Sequence, residues 1–525
     1  MRLFTIAVLA ASSALAQPLI LEGELPDSGP DFVLVPFQVP AGTAEVEIRH
    51  PVQQPENILD YGLNDPLRTV GWGGGNTEPI VVNAQAASRS YLPGPMTAGA
   101  WSVVIGKAKV LVKPARYRLE IELRASPTLA AQPERAPYAH AQALSKEARW
   151  YAGDFHVHSR ESGDAEPSLD AIATFARGRG LDFVELSDHN TTSQLTWIHD
   201  AQGRHPQLLF VPGVEFTTYA GHANGIGATE YVDHRFGLGD ASFEAAVADF
   251  ARQGAVLSIN HPVLDLGTAC IGCAWKLPIP RDTLGAVEIG TGGWDKTGVL
   301  FTKQAIAFWD RLVGQGVKAA AIGGSDDHSA GVRMGAFDSP IGNPTTLVFA
   351  NELSVSALLE GLKAGRTVVK LQGPDDPMVD IQPTAVELDA TGAPLATLVG
   401  ATVRAPPGEL PLRFSVSRGN GAVLKLLVDG QEREAVSVTS ADFTTQQSFP
   451  VPETGETRIR AEVWVDGNPR TVTSHVFVSR AEDPPKGCGC GAAGAGAFEA
   501  LALAALAAGR RRKITRKIAS NCCPR

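Results

Sequence analysis

Histidines and carboxylates follow short apolar runs at several places between residues 150 and 372. The motif His156-Val157-His158 places two histidines at positions i and i+2. On a β-strand both imidazoles would point to the same side, close enough together to bind one metal ion. A lone His-x-His motif also arises by chance, so it is evidence for a metal site only when further potential ligands accompany it.

The same arrangement, an apolar run followed by a potential ligand, recurs along this region. Run 181–186 precedes Asp188-His189, run 208–211 precedes Glu215, run 255–259 precedes His261, and run 319–322 precedes Asp326 and His328. Because the carboxyl ends of the strands of a β/α barrel open on one face, ligands that are distant in sequence meet there. Histidines buried in an ordinary core would not explain why so many apolar runs are followed by a potential metal ligand.

Six of the twelve histidines and three carboxylates form the predicted ligand set: His156, His158, Asp164, His189, Glu215, His222, His261, Asp326 and His328. His234 is left unassigned. A mixed nitrogen and oxygen set suits Zn, Mn or Fe rather than Ca or Mg alone. One ion does not need so many ligands, so we expect two or three divalent metal ions, with Glu215 as a bridging carboxylate. Glu215, Asp326 and His328 are the predicted catalytic residues.

Metal ions in such a set activate water and polarise a substrate oxygen, so the sequence favours a metal-dependent hydrolase. The first hypothesis is hydrolysis of a phosphoester, with a small-molecule ester as substrate. The second is hydrolysis of a carboxyl ester, carbamate or amide, which needs the same metal ligands. The third is a non-catalytic surface binding protein with structural metal, but structural sites normally close with four ligands.

The order of these motifs resembles that of the PHP (polymerase and histidinol phosphatase) superfamily over residues 150–372. The matching segments are His156-Val157-His158-Ser159, Ser187-Asp188-His189-Asn190, Gly213-Val214-Glu215, Asn260-His261-Pro262 and Ser325-Asp326-Asp327-His328. The segment Gly221-His222-Ala223-Asn224-Gly225 after Glu215 is similar to the CehA/McbA branch, which includes carbaryl hydrolase.

This resemblance implies a distorted, TIM-like (β/α)7 barrel with a trinuclear metal site. The implied ligands of the three ions are His156, His158, Glu215 and Asp326, then Glu215, His222 and His261, then Asp164, His189 and His328. Asp164 departs from the family pattern, because Ser162-Gly163-Asp164 replaces the usual Ser-Asp-Gly order. An amidohydrolase barrel also opens with His-x-His, but it uses a bridging lysine that no strand ending here offers.

The elements that must position these ligands alternate between strands and helices. Phe243, Ala246, Val247 and Phe250 recur at helical spacing behind Ser242, a plausible N-cap, and the apolar run 255–259 follows as a strand. Ile306, Trp309, Leu312 and Val313 repeat that spacing ahead of the run 317–322. Repeated β-then-α units predict parallel strands in a metallohydrolase domain over residues 150–374, and either a barrel or an open sheet would satisfy this pattern.

Two flanking regions have β character instead. Residues 17–125 contain short apolar stretches between glycine and proline turns, and 117–123 alternates apolar and charged residues, which predicts an amino-terminal β-sandwich. Residues 375–480 return to this pattern, with Ile459, Ala461 and Val463 on one face of a strand. A second β-sandwich is expected there, and 126–149 is predicted to be a linker.

The two ends have the composition of sorting segments. Residues 1–16 have the layout of a secretory signal peptide with Ala14-Leu15-Ala16 at its end. Residues 484–525 contain Gly487-Cys488-Gly489-Cys490, an apolar run and Arg510-Arg511-Arg512, an order that resembles a MYXO-CTERM signal. We therefore expect an exported protein in the periplasm, on the outer-membrane surface or outside the cell, with membrane association through this tail.

Charge and cysteine content narrow the class further. The net charge of -10 over 525 residues argues against a nucleic-acid binder, which normally carries a basic face. The six cysteines fall in three close pairs, and in an exported protein Cys270-Ile271-Gly272-Cys273 favours a local disulfide or free thiols over a metal site. The oligomeric state is left open.

Overall fold

The protein is described by a computed structural model over residues 17–291, 299–333, 338–385 and 394–481. The chain divides into two units, residues 1–481 and 482–525, and all described residues belong to the first. The predictions for 1–16 and 484–525 therefore lie outside the described residues. Among the residues that are described, no helix has the length and apolar character needed to cross a bilayer.

The amino-terminal region consists of two four-stranded antiparallel sheets that share one apolar core. Their orders are β1-β8-β3-β6 and β2-β7-β4-β5. The strands are β1 (Leu19–Leu25), β2 (Phe32–Val39), β3 (Glu45–Arg49), β4 (Ile58–Asn64), β5 (Thr69–Gly74), β6 (Ile80–Asn83), β7 (Gly99–Lys109) and β8 (Ala115–Arg124). In β2, buried Val35, Phe37 and Val39 alternate with exposed residues, as in a strand with one face toward a core.

Glu45 fixes the chain where it leaves these sheets. Its fully buried carboxylate accepts hydrogen bonds from the backbone amides of Thr128 and Leu129, each at 3.0 Å, and from the Thr128 hydroxyl at 2.6 Å. Burial raises the pKa of Glu45, but these hydrogen bonds outweigh burial and lower the pKa to about 2. The segment that follows, 125–148, contains no helix or strand.

The central region alternates strands with helices. The strands are β9 (Arg149–Val157), β10 (Phe183–Leu186), β11 (Leu209–Pro212), β12 (Glu215–Thr218), β13 (Gly221–Ile226), β14 (Val256–Ile259), β15 (Leu284–Gly290), β16 (Ala320–Gly323), β17 (Thr345–Ala350) and β18 (Thr367–Lys370). The helices are α1 (Leu169–Gly178), α2 (Leu195–Arg204), α3 (Phe243–Gln253), α4 (Val299–Gly314) and α5 (Val355–Lys363). The predicted N-cap Ser242 is confirmed, because its hydroxyl accepts from the Ala245 amide at 3.1 Å.

A mixed α/β architecture is confirmed, but the expectation of parallel strands throughout is wrong. Strands β9, β10 and β11 are parallel, and so are β14, β15 and β16. Strands β12 and β13 instead form an antiparallel hairpin, since only Tyr219-Ala220 joins them and a parallel crossover needs about a dozen residues. In the described ranges these strands belong to two sheets. Isolated parallel bridges connect the two sheets at the ligand loops, between Val157 and Asp327 and between His189 and Glu215.

The carboxy-terminal region continues one of these sheets. Its strands are β19 (Met378–Pro383), β20 (Thr402–Ala405), β21 (Glu409–Ser417), β22 (Val423–Val428), β23 (Gln431–Ser437), β24 (Asp442–Pro450), β25 (Glu456–Val465), β26 (Asn468–Thr473) and β27 (Val476–Arg480). Strand β26 pairs with β18, so an eleven-stranded sheet extends from the central region into this one. Strands β19, β21 and β24 form a second sheet over a shared core.

The Glu45 carboxylate should stabilise the fold in a pH-dependent way. A group whose pKa falls from 4.5 to about 2 on folding contributes about 3 kcal/mol at neutral pH, and this contribution is lost as pH falls from about 4.5 through 2. We expect Glu45→Gln to lower the free energy of unfolding by about this amount at pH 7, measured by urea denaturation. The difference from wild type should shrink toward pH 2.

The exposed Glu24 provides the matched control, and Glu24→Gln should change stability little. A loss in Glu45→Gln that has the same size at every pH would assign the effect to packing rather than to charge.

Candidate metal centre

The His-x-His motif lies at the end of β9, where both imidazoles are fully buried. Their ring centroids are 5.1 Å apart. The Nε2 atoms of His156 and His158 lie 3.3 and 3.0 Å from Oδ1 of Asp326, in the loop after β16. The strand therefore aims both side chains at one carboxylate.

Glu215 is the centre of the cluster. It is the first residue of β12 and is fully buried. Its carboxylate oxygens lie within 3.6 Å of five imidazole nitrogens, which belong to His156, His158, His189, His222 and His261. The hairpin that sequence reasoning missed explains part of this geometry, because it places His222 on the strand next to Glu215.

The cluster opens toward solvent on its other side. Oδ2 of Asp164 lies 3.3 Å from Nε2 of His189 and 3.5 Å from Nε2 of His328. The Asp164 side chain is 56% exposed, whereas that of Glu215 is 0% exposed. A small molecule would reach the cluster from the Asp164 side.

Hydrogen bonds fix which ring nitrogen faces the cluster. Nδ1 of His156 lies 2.9 Å from Oε2 of buried Glu288, and Nδ1 of His328 lies 2.9 Å from the backbone oxygen of Asp326. Because these oxygens accept, each Nδ1 carries the proton and Nε2 is left as the potential ligand. A carboxylate or carbonyl behind the imidazole is the usual support of a metal-binding histidine.

Three buried atoms at the centre make no hydrogen bond of good geometry among the described residues, although imidazole or carboxylate atoms lie 2.8–3.6 Å from them: Nε2 of His156, Nε2 of His158 and Oε2 of Glu215. A buried polar atom without a partner costs about 1–3 kcal/mol. Nε2 of His156 also faces the acceptor oxygens of Glu215 and Asp326, each at 3.3 Å. Either a proton or a metal cation between such acceptors makes this contact favourable, and the convergence of so many ligand atoms fits bound metal.

The potential ligand atoms fall into groups of metal-binding size. Atoms within 4.8 Å of one another belong to His156, His158, Glu215 and Asp326, to His158, His189 and His328, and to His222, His261 and Cys273. The first group is the set that the family resemblance implies for one ion. The second differs from the implied set, because it contains His158 where Asp164 was expected.

The electrostatics of the cluster keep its carboxylates ionised. Burial raises the pKa of Glu215, but the charges of His156 and His189 outweigh burial and hold that pKa well below its ordinary value. His158 behaves in the opposite way, since burial and the charges of His328 and His189 lower its pKa to about 3. Those charges require protonated rings, and although burial lowers their pKa, the neighbouring carboxylates hold the pKa values of His156 and His189 well above the ordinary value. Divalent ions bind neutral imidazoles and ionised carboxylates, so bound metal would displace these protons.

All nine predicted ligand residues lie in this cluster, and unassigned His234 lies outside it. The ring of His234 contacts Phe32 and Trp72 of the amino-terminal sheets, with centroids 5.8 and 4.5 Å away. Burial lowers its pKa to about 3. His234 therefore belongs to an interface between regions.

Sequence reasoning missed the groups that hold the ligands. Besides Glu288, Asp154 accepts hydrogen bonds from the amides of His156, Ser325 and Gly342, at 2.7–3.0 Å. Asn260 donates to Oε1 of Glu215 at 3.1 Å. The available signal was an acidic residue inside an apolar strand, as at Asp154 in β9 and Glu288 in β15.

The amino-terminal sheets border the open side of the cluster. The Ser90 hydroxyl donates to the Glu161 carbonyl at 2.7 Å, near the Asp164 loop, and the Tyr219 hydroxyl donates to Asp60 at 2.7 Å. Burial raises the pKa of Asp60 to about 6, although the hydrogen bond from Tyr219 opposes this shift. The first region therefore packs directly on loops that carry predicted ligands.

No protein-family model matches the chain, and no curated protein matches it. Among solved structures, one match is a two-domain protein from Bacteroides vulgatus ATCC 8482 containing a predicted PHP-like metal-dependent phosphoesterase, at 18% identity and TM-score 0.35 over 67% of this chain and 100% of that one. Another is described as a metal-dependent phosphoesterase from Bifidobacterium adolescentis ATCC 15703, at 13% identity and TM-score 0.25 over 36% of this chain and 92% of that one. Both TM-scores are low, so the proposed function depends on the geometry of the site.

Glu288 should tune metal affinity although it is not a predicted ligand. Glu288→Gln removes the charge behind His156 while keeping the shape, and loss of such a support typically weakens metal binding about 10- to 100-fold. Competition with a chromophoric zinc chelator measures this change. The exposed Glu360 on α5 supplies the control variant Glu360→Gln, and equal affinities in both variants would contradict a supporting role for Glu288.

Proposed function

We propose that this chain is a metal-dependent hydrolase of the PHP superfamily that cleaves a phosphoester. The observation that carries the proposal is the Glu215 carboxylate, which is buried among five imidazole nitrogens. A structural metal site needs four ligands and no open side. This cluster has more donors and reaches solvent at Asp164.

The proposed ligand sets follow the distances. One ion would be held by His156, His158, Glu215 and Asp326, a second by Glu215, His222 and His261, and a third by Asp164, His189 and His328. The ring centroid of His158 lies 4.1 Å from that of His328, so His158 stands between the first and third sets. Glu215 bridges the first and second sets.

Bound divalent ions would supply Lewis acidity, which lowers the pKa of water and stabilises negative charge on the reacting oxygens. The residues of the chain do the positioning. Glu288 and the Asp326 carbonyl hold the protons of His156 and His328 on the side away from the cluster. The buried Glu215 end excludes solvent, so a substrate enters beside Asp164 and His328.

The charge balance favours an anionic substrate. The ligand set contains three carboxylates, Asp164, Glu215 and Asp326, which do not neutralise two or three divalent ions. Excess positive charge in a partly buried site attracts anions. A phosphoester has this charge, whereas a carbamate or carboxyl ester is neutral.

Hydrolysis of a carboxyl ester, carbamate or amide is the second candidate, and one observation favours it. His222, which carries the resemblance to the CehA/McbA branch, lies with Nδ1 3.3 Å from Oε1 of Glu215. The ligands alone do not separate the two reactions, because both use the same metal chemistry. Substrate preference must therefore be measured.

We also propose that the protein is exported and retained at the cell surface. The signal-like residues 1–16 and the tail 484–525 support this proposal, and so does the Cys270–Cys273 disulfide, a bond that persists in oxidising compartments. Surface placement would expose the Asp164 side to ester substrates in the surroundings.

The decisive experiment compares wild type, Glu215→Gln and Glu360→Gln. Metal content and hydrolysis of p-nitrophenyl phosphate, bis-p-nitrophenyl phosphate and a 1-naphthyl carbamate are measured for each after loading with Zn or Mn. We expect two or three ions per wild-type chain. Turnover should fall on the order of 1000-fold in Glu215→Gln and stay unchanged in Glu360→Gln.

The preferred substrate decides between the two reactions. Faster cleavage of the phosphate esters supports the phosphoesterase, and faster cleavage of the carbamate supports the second candidate. A wild-type chain that binds one ion or none and turns over no substrate would contradict both, and would favour a surface binding protein.

A further inference from the structure

The loop between β14 and β15 covers the His222 side of the cluster. It begins at Asn260, and a single 3-10 turn, Gly267–Ala269, is its regular structure. The Lys276 amide donates to the Ala220 carbonyl at 2.7 Å, which joins the loop to the turn of the β12–β13 hairpin. Gly272 has φ of +80°, and a Cβ there would overlap the Thr218 carbonyl oxygen. The loop therefore lies tightly on the strands that carry Glu215 and His222.

Two backbone carbonyls of this loop face two predicted ligands. The Ile271 oxygen lies 3.0 Å from Nε2 of His222, and the Cys273 oxygen lies 3.1 Å from Nδ1 of His261. A carbonyl oxygen accepts only, so each of these ring nitrogens carries its proton there.

In the neutral imidazoles that a metal ion binds, the opposite ring nitrogens are then left free to coordinate. These are Nδ1 of His222 and Nε2 of His261, and both lie 3.3 Å from Oε1 of Glu215. One short loop thus sets the tautomer and direction of both histidines proposed for the second ion.

A disulfide closes this segment. Cys270 and Cys273 are bonded, with Cα atoms 5.6 Å apart, an ordinary separation for a disulfide. The bond encloses Ile271 and Gly272, so it restricts the direction of the Ile271 carbonyl, and it anchors Cys273, whose carbonyl follows directly after the closed ring. Segment 270–273 belongs to no helix or strand of the described chain, and backbone ladders therefore do not hold it.

We propose that the Cys270–Cys273 disulfide is a positioning device for the second metal ion, because it holds the Ile271 and Cys273 carbonyls that orient His222 and His261. The inference rests on the proposed function only in requiring a metal ion at these two histidines. It concerns metal affinity and is independent of which ester is cleaved.

The same atoms allow a different role for one cysteine. Sγ of Cys273 lies within 4.8 Å of the ligand nitrogens of His222 and His261, so a free Cys273 thiolate would be close enough to join the ligand set. The disulfide role and the thiolate role require different cysteines. A disulfide needs both cysteines, whereas a thiolate ligand needs Cys273 and not Cys270.

The test uses the full chain with Cys270→Ser, Cys273→Ser, the double variant and Gly272→Ala. Gly272→Ala keeps both sulfurs but forces the loop away from Thr218. Bound zinc per chain is measured by mass spectrometry after dialysis, and zinc affinity is measured by competition with a chromophoric chelator. The control is Thr268→Ala, an exposed change in the same loop.

The proposal expects all four variants to lose affinity for one ion by about 10- to 100-fold, the usual effect of removing a supporting contact. The remaining ions should bind as in Thr268→Ala, and each variant should still show a cooperative unfolding transition. Wild-type affinity in Cys270→Ser and in the double variant would overturn the proposal. A loss confined to variants that lack Cys273 would also overturn it, in favour of the thiolate ligand.

Two further outcomes are distinguishable. A wild-type chain that binds no zinc contradicts the proposed function itself, whereas a metal-loaded wild type with unaffected variants contradicts only the role of the disulfide. If a cysteine variant does not fold, folded wild type is treated with tris(2-carboxyethyl)phosphine. The phosphine and one water become the phosphine oxide while the disulfide becomes two thiols, and the same loss of affinity is expected.

Discussion

The structure depends on one electrostatic constraint, the burial of the Glu215 carboxylate among acceptor atoms. A carboxylate at 0% exposure would normally be protonated or paired with a cationic side chain. His156, His222 and His261 hold a proton on their outer sides, whereas both ring nitrogens of His189 face carboxylates, at 2.8 Å from Glu215 and 3.3 Å from Asp164. The cluster is therefore a cage of acceptors that protons or metal ions must stabilise.

The surroundings of the cage follow from that constraint. Each ligand must keep its direction although the acceptors repel one another, so a second layer of hydrogen bonds is needed behind the first. Asp154 ties the ends of β9 and β16 together through backbone amides, and Asp188 accepts from the amide and hydroxyl of Ser159 at 2.7 and 2.9 Å. These buried carboxylates connect ligand loops that are far apart in sequence.

Much of the site could be predicted from the sequence because its ligands follow apolar runs. His156, His189, His261 and Asp326 stand at or just after strand ends, where spacing alone predicts convergence. Their supports were not predictable in the same way. Glu288 meets His156 across 132 residues, and local periodicity contains no information about such a distant partner.

The fold, like the site, was predictable where local sequence signals determine it. Helix α3 was predicted because Ser242 and its apolar spacing are local signals. The β12–β13 hairpin was missed because Tyr219-Ala220 lacks the glycine or asparagine that marks most two-residue turns. The pairing of Val368 with Thr473 was missed because a strand's partner in a distant region leaves no local pattern.

The continuous sheet through β18 and β26 has a consequence for how this chain can be divided. A shortened chain ending at residue 374 would leave β18 as an open edge, with unpaired amides and carbonyls along the segment that now pairs with β26. Open, flat edges recruit strands from other molecules and promote aggregation. The central region and the carboxy-terminal sheets therefore need each other to stay soluble, although their sequences look like separate modules.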